Sequence, residues 1–410
     1  MSPLKAINEV KVGLDFGENV IPVGRLAVRG SKVYFEYDPS FIGLGLEISP
    51  LKMPLQPGLL TFDRTLFEGL PGVFNDSLPD GWGRLLFDRF VRSQQMLPAD
   101  ISALDRLAHV GRYGLGALVY EPDFSLSNES TDINLDRLAK QAREVLEGES
   151  NDVLAELIAL NGSSAGARPK ALIAVNADKD HIIHGLHNLP EGYSPWIVKF
   201  ANTQDGVDAG GIEYVYALMA QDCGIEMPNV CLFRAQRGPG YFAIKRFDRE
   251  GSARYHMHTA CGLLHSDFRI PSMDYEQLIT LTGILTRDVR EVEKMFRLAV
   301  FNVLTHNRDD HSKNFTFLMD SNGQWRLSPA YDLTFSSGPS GEQSTTVMGE
   351  GRSPGVEHLL SLAKEANIKQ AYALEIIQRT QASIARWPEL AKLYGVSDAN
   401  IKLIESKLLV

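Results

Sequence analysis

The feature that most constrains this chain lies between residues 292 and 333. Val292, Met295, Phe296, Ala299, Val300, Val303 and Leu304 recur at helical spacing and form one unbroken apolar stripe. A helix of that kind is predicted to be buried along most of its length. It runs directly into an unbroken polar stretch, Thr305-His306-Asn307-Arg308-Asp309-Asp310-His311-Ser312-Lys313-Asn314. A short strand over 315–319 follows, then an Asn322-Gly323 hairpin turn, a second strand over 324–327, and Ser328-Pro329-Ala330-Tyr331-Asp332-Leu333. The order is therefore core helix, charged loop, hairpin and a further acid.

Phosphoryl transfer needs that arrangement. One carboxylate must orient the attacking hydroxyl and accept its proton, while a second carboxylate and an amide oxygen hold Mg²⁺ against the triphosphate of ATP. Asp309 fits the first role, and Asn314 and Asp332 fit the second. Asp309 and Asn314 also keep the D-x-x-x-x-N spacing of protein kinases. A kinase site further needs a flexible loop over the phosphates and a strand lysine upstream. Residues 163–170 and Lys199 stand in that order. Lys199 sits among Trp196, Ile197, Val198 and Phe200, where an unpaired ammonium is costly, so a phosphate or carboxylate partner is expected. Glu213, early in the next helix, is the candidate carboxylate. The strand over 241–247 then leads to a hinge, with backbone groups near Lys245, Arg246 and Phe247 placed for adenine.

Each piece has a plainer reading. The Gly/Ser/Ala-rich loop lacks the GK[ST] of a P-loop, and Pro169 removes one amide donor. Lys199 alone could lie on a sheet edge, Asp332 could cap a turn, and Asp309-Asp310 could be a solvated turn. The joint order carries the argument. Two rivals use the same residues. In one, His306, Asp309, Asp310, His311 and Asp332 ligate two metals in a hydrolase, although Arg308 and Lys313 would place positive charge beside the cations. The other, implied by the family resemblance given below, is a catalytically weak scaffold acting with an antitoxin as a DNA-bound corepressor.

The rest of the chain fits a multidomain globular protein. The first hundred residues are β-rich, with strands over 11–15, Val20–Arg29 and Lys32–Tyr37, and are followed by the turn-and-helix segment FNDSLPDGWG at 74–83. Residues 123–150 are polar and helical. Strands are expected over 171–175, 195–200, 230–235 and 241–247, with a helix over 212–223. Residues 338–355, rich in Gly, Ser, Thr and Pro, read as the loosest internal segment. The boundaries expected are 1–110 for a leading subdomain, 111–247 for an N-lobe and 248–410 for a helical C-lobe. A net charge of −10 argues against coating DNA by bulk charge. No apolar run reaches membrane-helix length, no signal-peptide stretch opens the chain, and Cys223, Cys231 and Cys261 form no CxxC pair. A cytoplasmic protein is expected.

These residues resemble the HipA family of bacterial toxin serine/threonine kinases. The matching pieces are NGSSAGARPK (161–170), IVKF (197–200), IKRFDR (244–249), NRDDHSKN (307–314) and SPAYDL (328–333), while FNDSLPDGWG resembles the family's N-terminal coupling module. The resemblance implies an α+β, two-lobed kinase-like fold with an added β-rich N-terminal subdomain. It implies Asp309 as catalytic base and Asn314 and Asp332 as Mg²⁺ ligands. ATP contacts would come from Ala165, Gly166, Ala167, Arg168, Pro169, Lys170, Lys199, His311, Lys313 and Tyr331. A serine of the Gly-rich loop is autophosphorylated in the family, and Ser163 is the aligned candidate, with Ser164 beside it. The family's partners are a small helix-turn-helix antitoxin, HipB, which binds DNA, and substrates among aminoacyl-tRNA synthetases, especially the glutamyl enzyme. Arg168-Pro169 departs from the best-known member, which has Gln-Glu before the lysine.

Overall fold

A computed structural model describes residues 7–30, 32–125, 132–148, 154–161, 166–185, 189–202 and 205–410. Ser163, Ser164 and Ala165 lie outside the described residues.

Strands β1 (Glu9–Asp15), β2 (Val20–Arg29), β3 (Lys32–Tyr37), β4 (Leu59–Thr61) and β5 (Leu118–Glu121) form an antiparallel sheet in the order β4-β3-β2-β1-β5. Period-two alternation sends Val10, Val12 and Leu14 of β1 and Val33, Phe35 and Tyr37 of β3 into one core. Helices Gly81–Ser93 and Ala103–Val110 connect β4 to β5, so this module draws on the chain up to residue 121.

A second sheet runs β7-β6-β8-β10-β9, all antiparallel, from β6 (Lys170–Asn176), β7 (Ile182–His184), β8 (Tyr193–Lys199), β9 (Val230–Phe233) and β10 (Tyr241–Lys245). The helix Ala209–Asp222 packs on it. That helix begins three residues before the expected Ile212. Its Gly-Gly pair is poor helix former, but a Cβ on Gly210 would stand 2.1 Å from the Gly240 carbonyl oxygen, so close packing selects the glycine. The last strand ends at Lys245 rather than 247, because Arg246 and Arg249 capture the buried Asp248 carboxylate. The helix Leu154–Asn161 and strand β7 had no clear sequence signal.

The C-terminal part is mainly helical. The striped helix spans Val289–Leu304, capped by Asp288, which accepts from the Arg290 amide. Met295, Phe296, Ala299, Val300, Val303 and Leu304 are all buried, as the stripe requires. Each large apolar side chain so buried contributes about 1.5–3 kcal/mol. The hairpin follows as Thr316–Met319 and Trp325–Leu327, and the first of these also pairs with His256–Thr259. The Leu327 amide donates to Glu291 at 2.7 Å, which fastens the hairpin to the helix.

The leading module is seated on the C-terminal part through a dry polar tie. Asp76 accepts from His258 Nδ1 at 2.7 Å and from the Thr259 amide and hydroxyl at 2.8 Å each. His258 Nε2 meets Ser49 Oγ at 2.9 Å. The connectivity is that of a Ser–His–Asp triad, but Ser49 and His258 are 1% and 0% exposed, so a substrate cannot reach the hydroxyl. The tie is structural. Among the described residues no helix is long and apolar enough to cross a membrane.

Candidate active site

β8 ends on Lys199, whose ammonium lies between two carboxylates. It contacts Asp332 Oδ1 at 2.6 Å and forms a second ion pair with Glu213. Burial pushes this ammonium down, but Asp332 and Glu213 more than offset it, so Lys199 is held above the ordinary lysine range. Asp332 shows the converse. Burial pushes its carboxyl up, and Lys199, Lys170 and Arg168 together hold it well below the ordinary range. Its backbone has φ +57°, a left-handed conformation that non-glycine residues adopt at a cost of about 1–2 kcal/mol.

Glu213 is 2% exposed and carries a second cation, with Arg168 Nη1 at 3.3 Å. Arg168 also meets Asp205 at 2.9 Å. Arg168 thus turns its guanidinium into the same charged cluster. Pro169 lends its carbonyl to the Phe200 amide at 2.8 Å, and Ala167 is exposed. Lys170, paired in register with Lys199, is buried, and burial together with the Lys199 charge pushes its ammonium down to about 8.

The loop after the striped helix presents Asp309 at the surface. Burial by the surrounding chain and the Asp332 charge raise its pKa, against His311, Arg168 and Lys199. The Asn314 side-chain amide donates to the Asp309 carbonyl at 2.7 Å, closing the five-residue spacing. The Tyr331 hydroxyl donates to the Lys313 carbonyl and also meets Thr316 Oγ1, both at 2.6 Å. Those bonds tie the residue before Asp332 to the residue before Asn314, across the two ends of the hairpin. His311 Nδ1 is buried without a hydrogen-bond partner among the described residues. Lys313 pairs with Asp80 and lies 4.5 Å above the Phe268 ring. The amides of Lys245 and Arg246 are donated to Asn229 and Pro195, the Arg246 side chain is turned to Asp248, and the Phe247 ring lies 5.5 Å from that of Tyr331.

The long-range partners of this loop, Tyr275 and residues 341–352, carry no clear sequence signal. Asn307 is held by Asn302, Asn302 by the Tyr275 hydroxyl, and that hydroxyl donates to Asp310 at 2.8 Å. Asp310 also accepts from the Gln343 side chain and the Ser344 and Thr345 amides. Arg308 reaches the carbonyls of Gly341 and Arg352. Residues 338–352 are therefore fastened to the loop after the striped helix, despite a composition that reads as loose. A polar Asn302 inside the buried half of the striped helix was the one available signal.

The two-metal hydrolase reading does not survive. Its Asp310 is consumed by four donors, its His306 stacks on Phe335 at 5.6 Å, and among the described residues no group of three or more His, Cys, Asp or Glu is placed to hold a metal. The donor set does fit Mg²⁺ beside phosphates, since that ion takes one or two protein oxygens and fills its remaining positions from phosphate and water.

The small sheet with its packed helix, the helical lobe, and the charged site where they meet define a two-lobed α+β protein of kinase-like fold. The sequence matches the family model for the HipA-like C-terminal domain over residues 162–387 and that for the HipA N-terminal domain over 18–121. The chain belongs to the HipA family. It is similar to the serine/threonine-protein kinase toxin HipA of Shewanella oneidensis, 25% identical over 194 residues, 42% of each chain. It is also similar to Y4dM of Sinorhizobium fredii, 24% identical over 237 residues, 51% of this chain and 57% of that one. The chain thus matches about half the length of these curated relatives. Among solved structures, the Shewanella oneidensis HipA complex with HipB and operator DNA shares the fold, with a TM-score of 0.69 and 16% identity over 97% of this chain and 94% of that one.

Proposed function

We propose that this chain is an ATP-dependent serine/threonine protein kinase of the HipA toxin type. The observation that carries the reading is Lys199 bridging Glu213 and Asp332, which joins the small lobe to the acid that follows the hairpin. In this reading Lys199, Lys170 and Arg168 receive the phosphates, and the buried His311 Nδ1 gains a partner when nucleotide is bound. Phe247 and Tyr331 line the adenine side. Asn314 and Asp332 would hold Mg²⁺, which supplies charge neutralisation to the triphosphate. Asp309 orients the serine or threonine hydroxyl and accepts its proton as the oxygen attacks the γ-phosphorus and the bond to ADP breaks. A carboxyl raised by its surroundings is a better base than a free one, provided the pH stays above its pKa.

The substrate is a protein, with aminoacyl-tRNA synthetases such as the glutamyl enzyme the class the family suggests. Their phosphorylation would stall translation and slow growth. A HipB-type antitoxin, and DNA through it, are the partners proposed, and the cytoplasm the location. Ser163 is proposed as the self-modification site, where up to two added negative charges would occupy space the triphosphate needs. Ser163→Ala should remove the main self-modification in a mass spectrum, and phosphate found only elsewhere would refute that assignment. The reading as a whole is tested by incubating the purified chain with Mg-ATP and a cell extract and identifying the phosphorylated proteins.

A further inference from the structure

The segment Asp80-Gly81-Trp82 of the leading module has no role in the phosphotransfer steps proposed above, although Asp80 pairs with Lys313. Asp80 stands at the N-cap position of the helix Gly81–Ser93, where an Asp side chain ordinarily accepts from its own helix. It does not. One carboxylate oxygen accepts from the Gly166 amide at 2.5 Å, and the other pairs with the Lys313 ammonium. The Trp82 amide, one of the helix's unsatisfied donors, returns a bond to the Gly166 carbonyl at 3.0 Å. Gly81 makes this approach possible: its φ is +45°, and a Cβ there would lie 2.5 Å from the Gly166 carbonyl oxygen. Both backbone groups of Gly166 are thus held by the leading module, and the same carboxylate reaches the loop after the striped helix.

We infer that Asp80 is a positioning residue that clamps Gly166, at the C-terminal side of the Gly-rich segment, to Lys313 of the loop after the striped helix, making the leading module a working part of the phosphotransfer site. The inference rests on the kinase reading above. Asp80 and Lys313 side chains are only 17% and 10% exposed, so the pair operates in a poorly hydrated slot, with the Phe268 ring 4.5 Å from the ammonium. Asp80 touches no substrate. It fixes where Gly166 stands and where Lys313 points, and a displacement of about 1 Å at such a site is enough to cost roughly a hundredfold in rate.

The test combines amide hydrogen exchange with phosphotransfer from γ-labelled ATP, on the full chain. In Asp80→Ala the Gly166 amide should exchange roughly tenfold faster or more, while the Val289–Leu304 helix stays protected. kcat should fall by more than tenfold, with little change in KM for ATP. Gly81→Ala, which pushes Gly166 away without altering the carboxylate, should reproduce both effects. Asp80→Asn retains an acceptor for the Gly166 amide, so protection should persist and kcat should lie between those of wild type and Asp80→Ala. Unchanged Gly166 exchange in both Asp80→Ala and Gly81→Ala would overturn the clamp, as would a full loss of kcat in Asp80→Ala with Gly166 still protected. A wild-type chain that transfers no phosphate would remove the kinase reading instead, leaving the exchange data to decide the clamp.

Discussion

The ammonium of Lys199 lies 2.6 Å from the carboxylate of Asp332, although 133 residues separate them in sequence. A cation at the end of an apolar strand and an acid beyond a hairpin are brought together by the meeting of the two lobes. The Lys199 and Glu213 side chains are 11% and 3% exposed and that of Asp332 29%, so removing the lysine strands a buried carboxylate at Glu213.

Lys199→Ala should therefore be costly twice over. Leaving a buried carboxylate without its cation typically costs about 3–5 kcal/mol, here moderated because Arg168 still contacts Glu213. Phosphotransfer should fall by roughly a hundredfold or more, as when a preorganised charge is removed from an active site. Lys199→Arg, which keeps charge but not shape, should restore stability more than activity. Parallel thermal melts and initial rates check both.

The loop after the striped helix should depend on Asp310 as a fastener. Asp310→Ala leaves the Tyr275 hydroxyl, the Gln343 amide and two backbone amides without their acceptor. Each buried donor so stranded costs about 1–3 kcal/mol unless water reaches it. Residues 338–352 should become sensitive to proteolysis, and activity should fall, while the helix beneath remains folded. Undiminished protection of that segment would show that Arg308 alone suffices to hold it.

Nucleotide affinity should carry the titration of Lys170. Its ammonium, pushed down to about 8, is mostly charged at neutral pH and loses its proton as pH rises through that value. Phosphate binds the charged form, so binding takes up a proton above the midpoint. The dissociation constant for ATP should be flat near neutrality and then weaken as pH rises above about 8, by up to roughly tenfold per pH unit. Lys199, held above the ordinary range, stays charged in this interval. Isothermal titration in buffers of different ionisation enthalpy would measure both the affinity and the proton uptake; a flat affinity to pH 9.5 would exclude Lys170 from phosphate contact.

The seating of the leading module should hinge on Asp76. Asp76→Ala removes the acceptor for His258 Nδ1 and for the amide and hydroxyl of Thr259. A loss of about 2–4 kcal/mol is expected for a buried charged acceptor with several donors. Amide hydrogen exchange in increasing denaturant, followed in β1–β3 and in the Val289–Leu304 helix, should show the module detaching before the helical lobe unfolds.

Much of this site was legible before any coordinates, and the reasons are local. Asp309 and Asn314 are close in sequence, the Asn-Gly turn returns the chain on itself, and the apolar stripe fixes the helix that carries the loop. Lys199 announced itself as a cation among buried apolar residues, and Glu213 as the acid within reach. The remainder depends on distant segments meeting. Asp80 looks like an ordinary helix cap, because only the fold shows its carboxylate turned toward Gly166. Asp310 looks like a twin of Asp309, yet their side chains take opposite roles, one at the surface and one sealed under Gln343. Residues 338–352 read as loose because Gly, Ser and Thr specify no structure of their own, while the bonds that hold them come from Arg308 and Asp310.

The most direct measurement is transfer of label from γ-labelled ATP by the wild-type chain and by Asp309→Asn, each with Mg²⁺. The account predicts label on protein serine or threonine with the wild type. It predicts a loss of about a hundredfold or more with the variant at unchanged nucleotide affinity and thermal midpoint. Equal labelling by the two proteins would remove Asp309 from the chemistry and contradict the arrangement proposed here.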